Sequence, residues 1–94
     1  MSNQEELDKM KSEIAADPEN AVLYNNLGNI YFNQPDFEEA KNYYQKAIDL
    51  NPNVAVFYEN LGLANDKLKN LAAAVDCYEK AAALAPSWDI YNTL

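Results

Sequence analysis

Cys77 is the single thiol of this chain, and it lies in an alanine-rich stretch beside Tyr78 with no base in the neighbouring sequence. A nucleophilic cysteine needs a group that holds it as thiolate, most often an imidazole. The chain has no His, which removes Cys-His and Ser-His pairs together with the usual zinc sites. Cys77 is therefore expected to be a buried or half-buried structural residue. Carboxylates are abundant, and Glu5 with Glu6 and Glu38 with Glu39 form acidic pairs. Both pairs fall near expected helix starts, where the helix dipole favours negative charge, so they need no catalytic role. No calcium loop, glycine-rich phosphate loop or glycosidase-like carboxylate pairing can be placed. These residue types predict a non-enzyme with no catalytic residue, no metal site and no cofactor.

All seven basic residues are Lys against 15 acidic ones, for a net charge of -8. Without Arg there is no bidentate fork for phosphate or guanine, and the charge opposes the counterion release that drives nucleic-acid binding. The seven Tyr lack the basic groove that a base-stacking platform needs, so they are expected in the core. No nucleic-acid partner is predicted.

The elements that carry these side chains must fit into 94 residues, 49% hydrophobic and 12% aromatic. That is enough apolar material for one small folded domain and too little chain for a large enclosed active site. One cysteine cannot form an internal disulfide, and a reducing compartment is the simpler reading. The first residues are polar and acidic, unlike a signal peptide, and no apolar run approaches the length of a membrane span. The expectation is a soluble chain in the cytoplasm with no membrane partner.

Three of the four prolines stand at 18, 52 and 86, at intervals of 34 residues. Shifting the chain by 34 aligns residues 21–54 with 55–88, and twelve positions coincide, both glycines among them as Gly28 and Gly62. A fixed period of this length signals stacked repeats. Within each unit, two stretches show helical spacing: Leu23, Leu27, Ile30, Tyr31 and then Phe37, Ala40, Tyr44, Ala47, Ile48 in the first; Phe57, Leu61, Ala64 and then Leu71, Ala74, Val75, Tyr78, Ala81, Leu84 in the second. Pro35 separates the first pair, and Asp36 with Glu39 has the form of a capping box. Asn70 is the expected cap in the second unit. Gly28 and Gly62 each cost about 1 kcal/mol relative to Ala inside a helix, which makes sense where a close helix crossing leaves no room for a side chain. Ala40, Ala47, Ala74 and Ala81 are expected opposite them, with Tyr24, Leu27, Tyr44 and their counterparts filling the space around the crossings.

These residues resemble the tetratricopeptide repeat family. Tyr24, Leu27, Gly28, Tyr31, Ala40, Tyr44, Ala47 and Pro52 match its signature in the first unit; Tyr58, Leu61, Gly62, Ala74, Tyr78, Ala81 and Pro86 match in the second, with Asn65 in place of a Tyr. The resemblance implies an all-α, right-handed solenoid of antiparallel helix pairs in one domain. Residues 1–17 would form an N-terminal capping helix with Ser2 or Asn3 as its cap, residues 21–54 and 55–88 two full repeats, and residues 88–94 the start of a third repeat or a C-terminal cap. In the turn between paired helices, where the family often has Gly, this chain has Pro35 and Lys69, so a different local geometry is expected there.

The resemblance further implies a protein-interaction module that binds a peptide on the concave face lined by the first helices. Residues expected to face away from the paired helix are Val22, Asn25, Asn26, Asn29, Phe32 and Asn33 in one unit, and Val56, Glu59, Asn60, Leu63, Asp66 and Lys67 in the other. The candidate groove is Asn25, Asn29, Phe32, Asn33, Asn60, Leu63 and Lys67, in which the asparagines offer both donor and acceptor to a peptide backbone. A second role stays open for Asn26, Asn29 and Asn60: Asn is frequent there in the family, and such side chains also bond neighbouring helices or face water. Family members that clamp the C-terminal carboxylate of heat-shock chaperones use two Lys, two Asn and another base. Asn29 and Asn60 fit that set, but Asn25 takes a Lys position and the third helix offers Asp89 and Thr93 instead of bases. Glu59, Asp66 and Asp89 with only Lys67 in compensation favour a neutral or basic peptide partner instead. Residues 88–94 carry Trp88, Ile90, Tyr91 and Leu94, more apolar than a usual terminal cap. The alternative function is accordingly self-assembly, with Trp88, Tyr91 and Leu94 as candidate contacts that join a homo-oligomer or dock the rest of a longer chain.

Overall fold

The structure, a computed structural model, describes residues 3–85. Five helices run through them: α1 Asn3–Ala16, α2 Ala21–Asn33, α3 Phe37–Leu50, α4 Ala55–Lys67 and α5 Leu71–Leu84. Each packs on its neighbours in sequence, so α2 with α3 and α4 with α5 form hairpins, α3 meets α4 between them, and α1 covers α2. No described helix is long and apolar enough to cross a membrane.

The helix boundaries follow from local chemistry. Asn20 caps α2 by accepting from the Val22 backbone N–H at 3.1 Å, and the Tyr24 hydroxyl donates to the Pro18 carbonyl at 3.0 Å. Tyr58 makes the same bond to Pro52, also at 3.0 Å, one repeat later. The phenol on the first turn thus holds the incoming proline turn in both units. Asp36 caps α3 by accepting from the Glu39 N–H at 3.4 Å, but only half of the expected capping box forms, because the Asp36 N–H goes to the Tyr31 carbonyl at 2.7 Å. Asn70 stands at the start of α5 without a side-chain cap bond; its amide donates instead to Asn65 Oδ1 at 3.4 Å. Lys69 takes the left-handed conformation, φ 67°, which the Pro35 ring forbids. The two turns therefore differ locally, yet both close on the same bond, Asp36 N–H to Tyr31 O and Asn70 N–H to Asn65 O at 2.8 Å.

The core lies between the hairpins. Leu27, Ala40, Tyr44, Ala47, Phe57, Leu61 and Ala64 are buried, small residues at the crossings and large ones beside them. What the glycines admit is a tyrosine ring: a Cβ on Gly28 would stand 2.6 Å from Tyr44 Cδ1 and Cε1, and one on Gly62 would stand 2.7 Å from Tyr78 Cε1. Of the alanines expected opposite the glycines, Ala40 is among the nearest neighbours of Gly28, its carbonyl 3.2 Å from that point. The units also differ as a matched pair. Tyr31 stacks on Tyr43 with ring centroids 5.4 Å apart in the first, whereas the equivalent residues in the second are Asn65 and Cys77. There the Asn65 amide donates to Cys77 Sγ at 3.8 Å, and both are buried.

Candidate peptide-binding face

The first helix of each hairpin exposes one row of side chains. Val22, Asn29 and Asn33 on α2, with Val56, Glu59, Leu63, Asp66 and Lys67 on α4, are exposed, while Asn26, Phe32 and Asn60 are half-buried. Val22 (54%), Val56 (45%) and Leu63 (43%) are among the most exposed large apolar residues, although leaving them in water gains nothing for folding. Phe32 is turned toward α3, where its ring meets Phe37 edge-on at 5.0 Å.

Three of the asparagines, Asn25, Asn29 and Asn60, are bonded within the fold. Asn25 is only 7% exposed, and its Oδ1 accepts from the Asn60 amide at 2.9 Å, tying α2 to α4 across the two repeats. Burial of a side-chain amide is tolerable when it is paired in this way. Asn29 Oδ1 accepts from the Tyr44 hydroxyl at 2.5 Å. Burial pushes the Tyr44 phenol up to about 12, so it remains a donor across the physiological range. The sequence places Asn25, Asn29 and Asn60 on one face; the structure joins Asn25 to Asn60 and ties Asn29 to Tyr44 of the paired helix α3. Their charge surroundings are set by Glu59 and Asp66 against Lys67.

Among the described residues, Cys77 has no basic partner that would make it reactive. Burial pushes its thiol up, outweighing the Asn65 hydrogen bond that pulls it down. Sequence reasoning missed one concavity, a groove of about 520 Å³ lined by Glu5, Glu6, Lys9, Met10 and Glu13 of α1 and by Ile30 of α2. The only sequence signal for it is register: Glu6, Met10 and Glu13 stand 34 residues before Ala40, Tyr44 and Ala47, where a paired helix would lie. Trp88, Tyr91 and Leu94, the candidate self-association residues, lie outside the described residues, as do Ser2, Pro86, Asp89, Ile90 and Thr93.

Among curated proteins, no sequence matches this one. Solved structures do. The first TPR of Spaghetti (RPAP3), bound to the HSP90 peptide SRMEEVD, superposes with a TM-score of 0.85 at 31% identity, over 89% of this chain and 67% of that one. The second TPR of the same protein, bound to the same peptide, gives 0.83 at 28% identity, over 88% and 72%. MamA gives 0.83 at 27% identity, over 87% of this chain and 48% of that chain, so the chain spans about half of MamA's length. MamA 41-end from Desulfovibrio magneticus RS-1 gives 0.82 at 27% identity, over 87% and 46%. Tetratricopeptide repeat models match residues 21–54 and 55–88. With two full repeats at the right period, folded as two helix hairpins, the chain belongs to the tetratricopeptide repeat family, a non-catalytic protein-interaction fold.

Proposed function

We propose that this chain is a protein-interaction module that takes a peptide segment of a partner across the face of α2 and α4. The observation that carries the reading is the exposed apolar row Val22, Val56 and Leu63, which the fold does not use and which runs beside polar groups able to meet a peptide backbone. The hydrogen-bonded asparagines serve as a rigid floor: Asn25 and Asn60 hold α2 against α4, and Asn29 is held by Tyr44, so the face is organised before a ligand arrives. Glu59 and Asp66 flank Leu63 and favour a neutral or basic segment over an acidic one. The first and second TPR of Spaghetti were each seen with the acidic peptide SRMEEVD; at the three positions where the chaperone clamp has bases, this chain has Asn25, Asp89 and Thr93.

The test is a peptide selection on the immobilised chain, followed by titration of the selected sequences and of SRMEEVD. Leu63→Asp is expected to weaken a selected peptide about tenfold or more with the melting temperature unchanged, because the position is exposed. Variants of Asn29 or Asn60 are poorer probes, since each also breaks a bond inside the stack. Peptides whose binding ignores Leu63, or SRMEEVD binding more tightly than its lysine-substituted version, would overturn the reading.

A further inference from the structure

The groove between α1 and α2 shares no lining residue with the exposed row of Val22, Val56 and Leu63. One repeat position holds Met10 in α1, Tyr44 in α3 and Tyr78 in α5. Tyr44 is 2% exposed and Tyr78 39%, while Met10 is half-buried. Ile30, across the groove on α2, is half-buried as well, whereas Ala64 at its repeat position in α4 is fully buried. The groove of about 520 Å³ thus has an apolar floor, Met10 and Ile30, that the described residues leave partly in water.

Its rim is acidic in a set pattern. Glu6 and Glu13 stand on either side of Met10 along α1, four and three residues away, so the three side chains share one face of the helix, with the two carboxylate positions about 10 Å apart along the axis. Among the described residues neither Glu6 nor Glu13 is in an ion pair, and Lys9 is the one base in the lining. The corresponding positions in α3 are Ala40 and Ala47, both fully buried. A repeat helix seated as closely on α1 as α2 is on α3 would bury both carboxylates against apolar side chains, a cost that such packing does not recover. The groove is therefore built against a further helix of the repeat kind and for a ligand that brings positive charge.

We infer that this groove is a second docking site, separate from the face of α2 and α4, for a basic amphipathic helix of a partner protein. The complement of Glu6, Met10 and Glu13 is a cation, an apolar residue and a cation on one side of the segment, with the cations about 10 Å apart. A helix meets both conditions with bases at i and i+7 and apolar residues at i+3 and i+4. An extended segment does not, because its residues on one side recur at about 6.6 and 13 Å. Lys and Arg carry an apolar stem below the charge, which covers the Met10 and Ile30 floor while the head groups reach the carboxylates at the rim. An acidic segment is repelled there, and a second copy, with its net charge of -8, is opposed in the same way.

The probe is a fluorescent, alanine-based helical peptide with Lys at i and i+7 and Leu at i+3 and i+4, bound to the full chain and followed by anisotropy. Saturable binding below about 1 mM is expected, weakening as salt is raised. A peptide of the same composition with its two Lys moved to the side opposite Leu should bind about tenfold or more weakly. Glu6→Lys combined with Glu13→Lys should weaken the first peptide about tenfold or more while far-UV circular dichroism stays helical. Asp76→Lys combined with Glu79→Lys changes the net charge equally at exposed positions of α5 and should leave affinity within about twofold. Leu63→Asp should do the same, so failure of this groove and failure of the face of α2 and α4 are read separately. An NMR titration should shift the Met10 and Ile30 methyl signals and leave those of Leu63 in place, a readout that needs no variant to fold. Lack of saturable binding, equal binding of the two peptides, equal losses from the two charge-reversed pairs, or shifts centred on Leu63 would each overturn the inference. Preference for a probe with Glu in place of Lys, or dimers in sedimentation whose formation shifts Met10 and Ile30, would overturn it as well.

Discussion

Replacing Gly28 by Ala tests the close approach around which the first hairpin is built. The new methyl would stand 2.6 Å from two carbons of the Tyr44 ring and 3.2 Å from the Ala40 carbonyl. That ring is 2% exposed and its hydroxyl is fixed on Asn29 Oδ1, so it cannot swing into solvent. Two terms oppose each other. Alanine gains about 1 kcal/mol in helix propensity, while forcing a methyl into a filled crossing costs about 1–3 kcal/mol. With one contact being backbone and the other an anchored ring, the upper end applies, and the net loss is about 2 kcal/mol. For a domain of this size the melting temperature should then fall by about 8–16 °C. Urea and thermal denaturation followed by far-UV circular dichroism measure both quantities. A double-mutant cycle with Tyr44→Leu sharpens the test: the methyl should partly fill the space the ring vacates, so the double mutant should be more stable than the sum of the singles by about 1–3 kcal/mol. Stabilisation by Gly28→Ala alone, or additivity within about 0.5 kcal/mol, would refute the steric account.

Three further outcomes follow from other contacts. Lys69→Gly should stabilise the chain by about 1 kcal/mol, since a side chain at φ 67° bears a left-handed penalty that glycine does not; calorimetry would show the higher melting temperature. Tyr58→Phe should cost about 1 kcal/mol through the lost bond to Pro52, and Tyr24→Phe should cost a similar amount because it removes the same bond to Pro18; unequal losses in urea titrations would break the equivalence of the two turns. Stability should decline in alkali. The Tyr44 phenol is raised to about 12 from 10.0, so the folded state holds a proton that the unfolded state releases, and the contribution is complete below pH 10 and lost as pH rises toward 12. Integrated over that window the loss is about 3 kcal/mol. The raised Cys77 thiol adds to it with the same sign from about pH 9. Urea midpoints between pH 8 and 11 should fall, and Tyr44→Phe should flatten the decline.

Most of the fold was legible in the order of residues. The spacing of prolines, glycines and apolar positions sets the period, the helix pairs and the identity of the family, and the observed α2 to α5 lie where that spacing puts them. The departures are local and physical. Asp36 was readable as a cap, but not that its own N–H would turn to Tyr31; Asn70 was readable as a cap, but its amide found Asn65 instead. Side-chain bonds of this kind compete within a fraction of a kcal/mol, and the winner depends on which neighbour packing brings near.

The candidate face divides along the same line. The 3.6-residue helical period sets which residues of α2 and α4 share a side, but not which of them stay open: Asn25 is buried, and the Phe32 ring meets Phe37 of α3. That Asn25 is buried and bonded to Asn60, 35 residues away, and that Asn29, though exposed, holds the Tyr44 hydroxyl, only the tertiary structure decided. The same is true of the exchange of a Tyr31–Tyr43 stack for an Asn65–Cys77 pair, and of the different exposure of Tyr44 and Tyr78 at one repeat position. Periodicity is a property of one helix, whereas burial and bonding partners depend on which second helix lies across it, and the 34-residue repeat supplies that helix for α3.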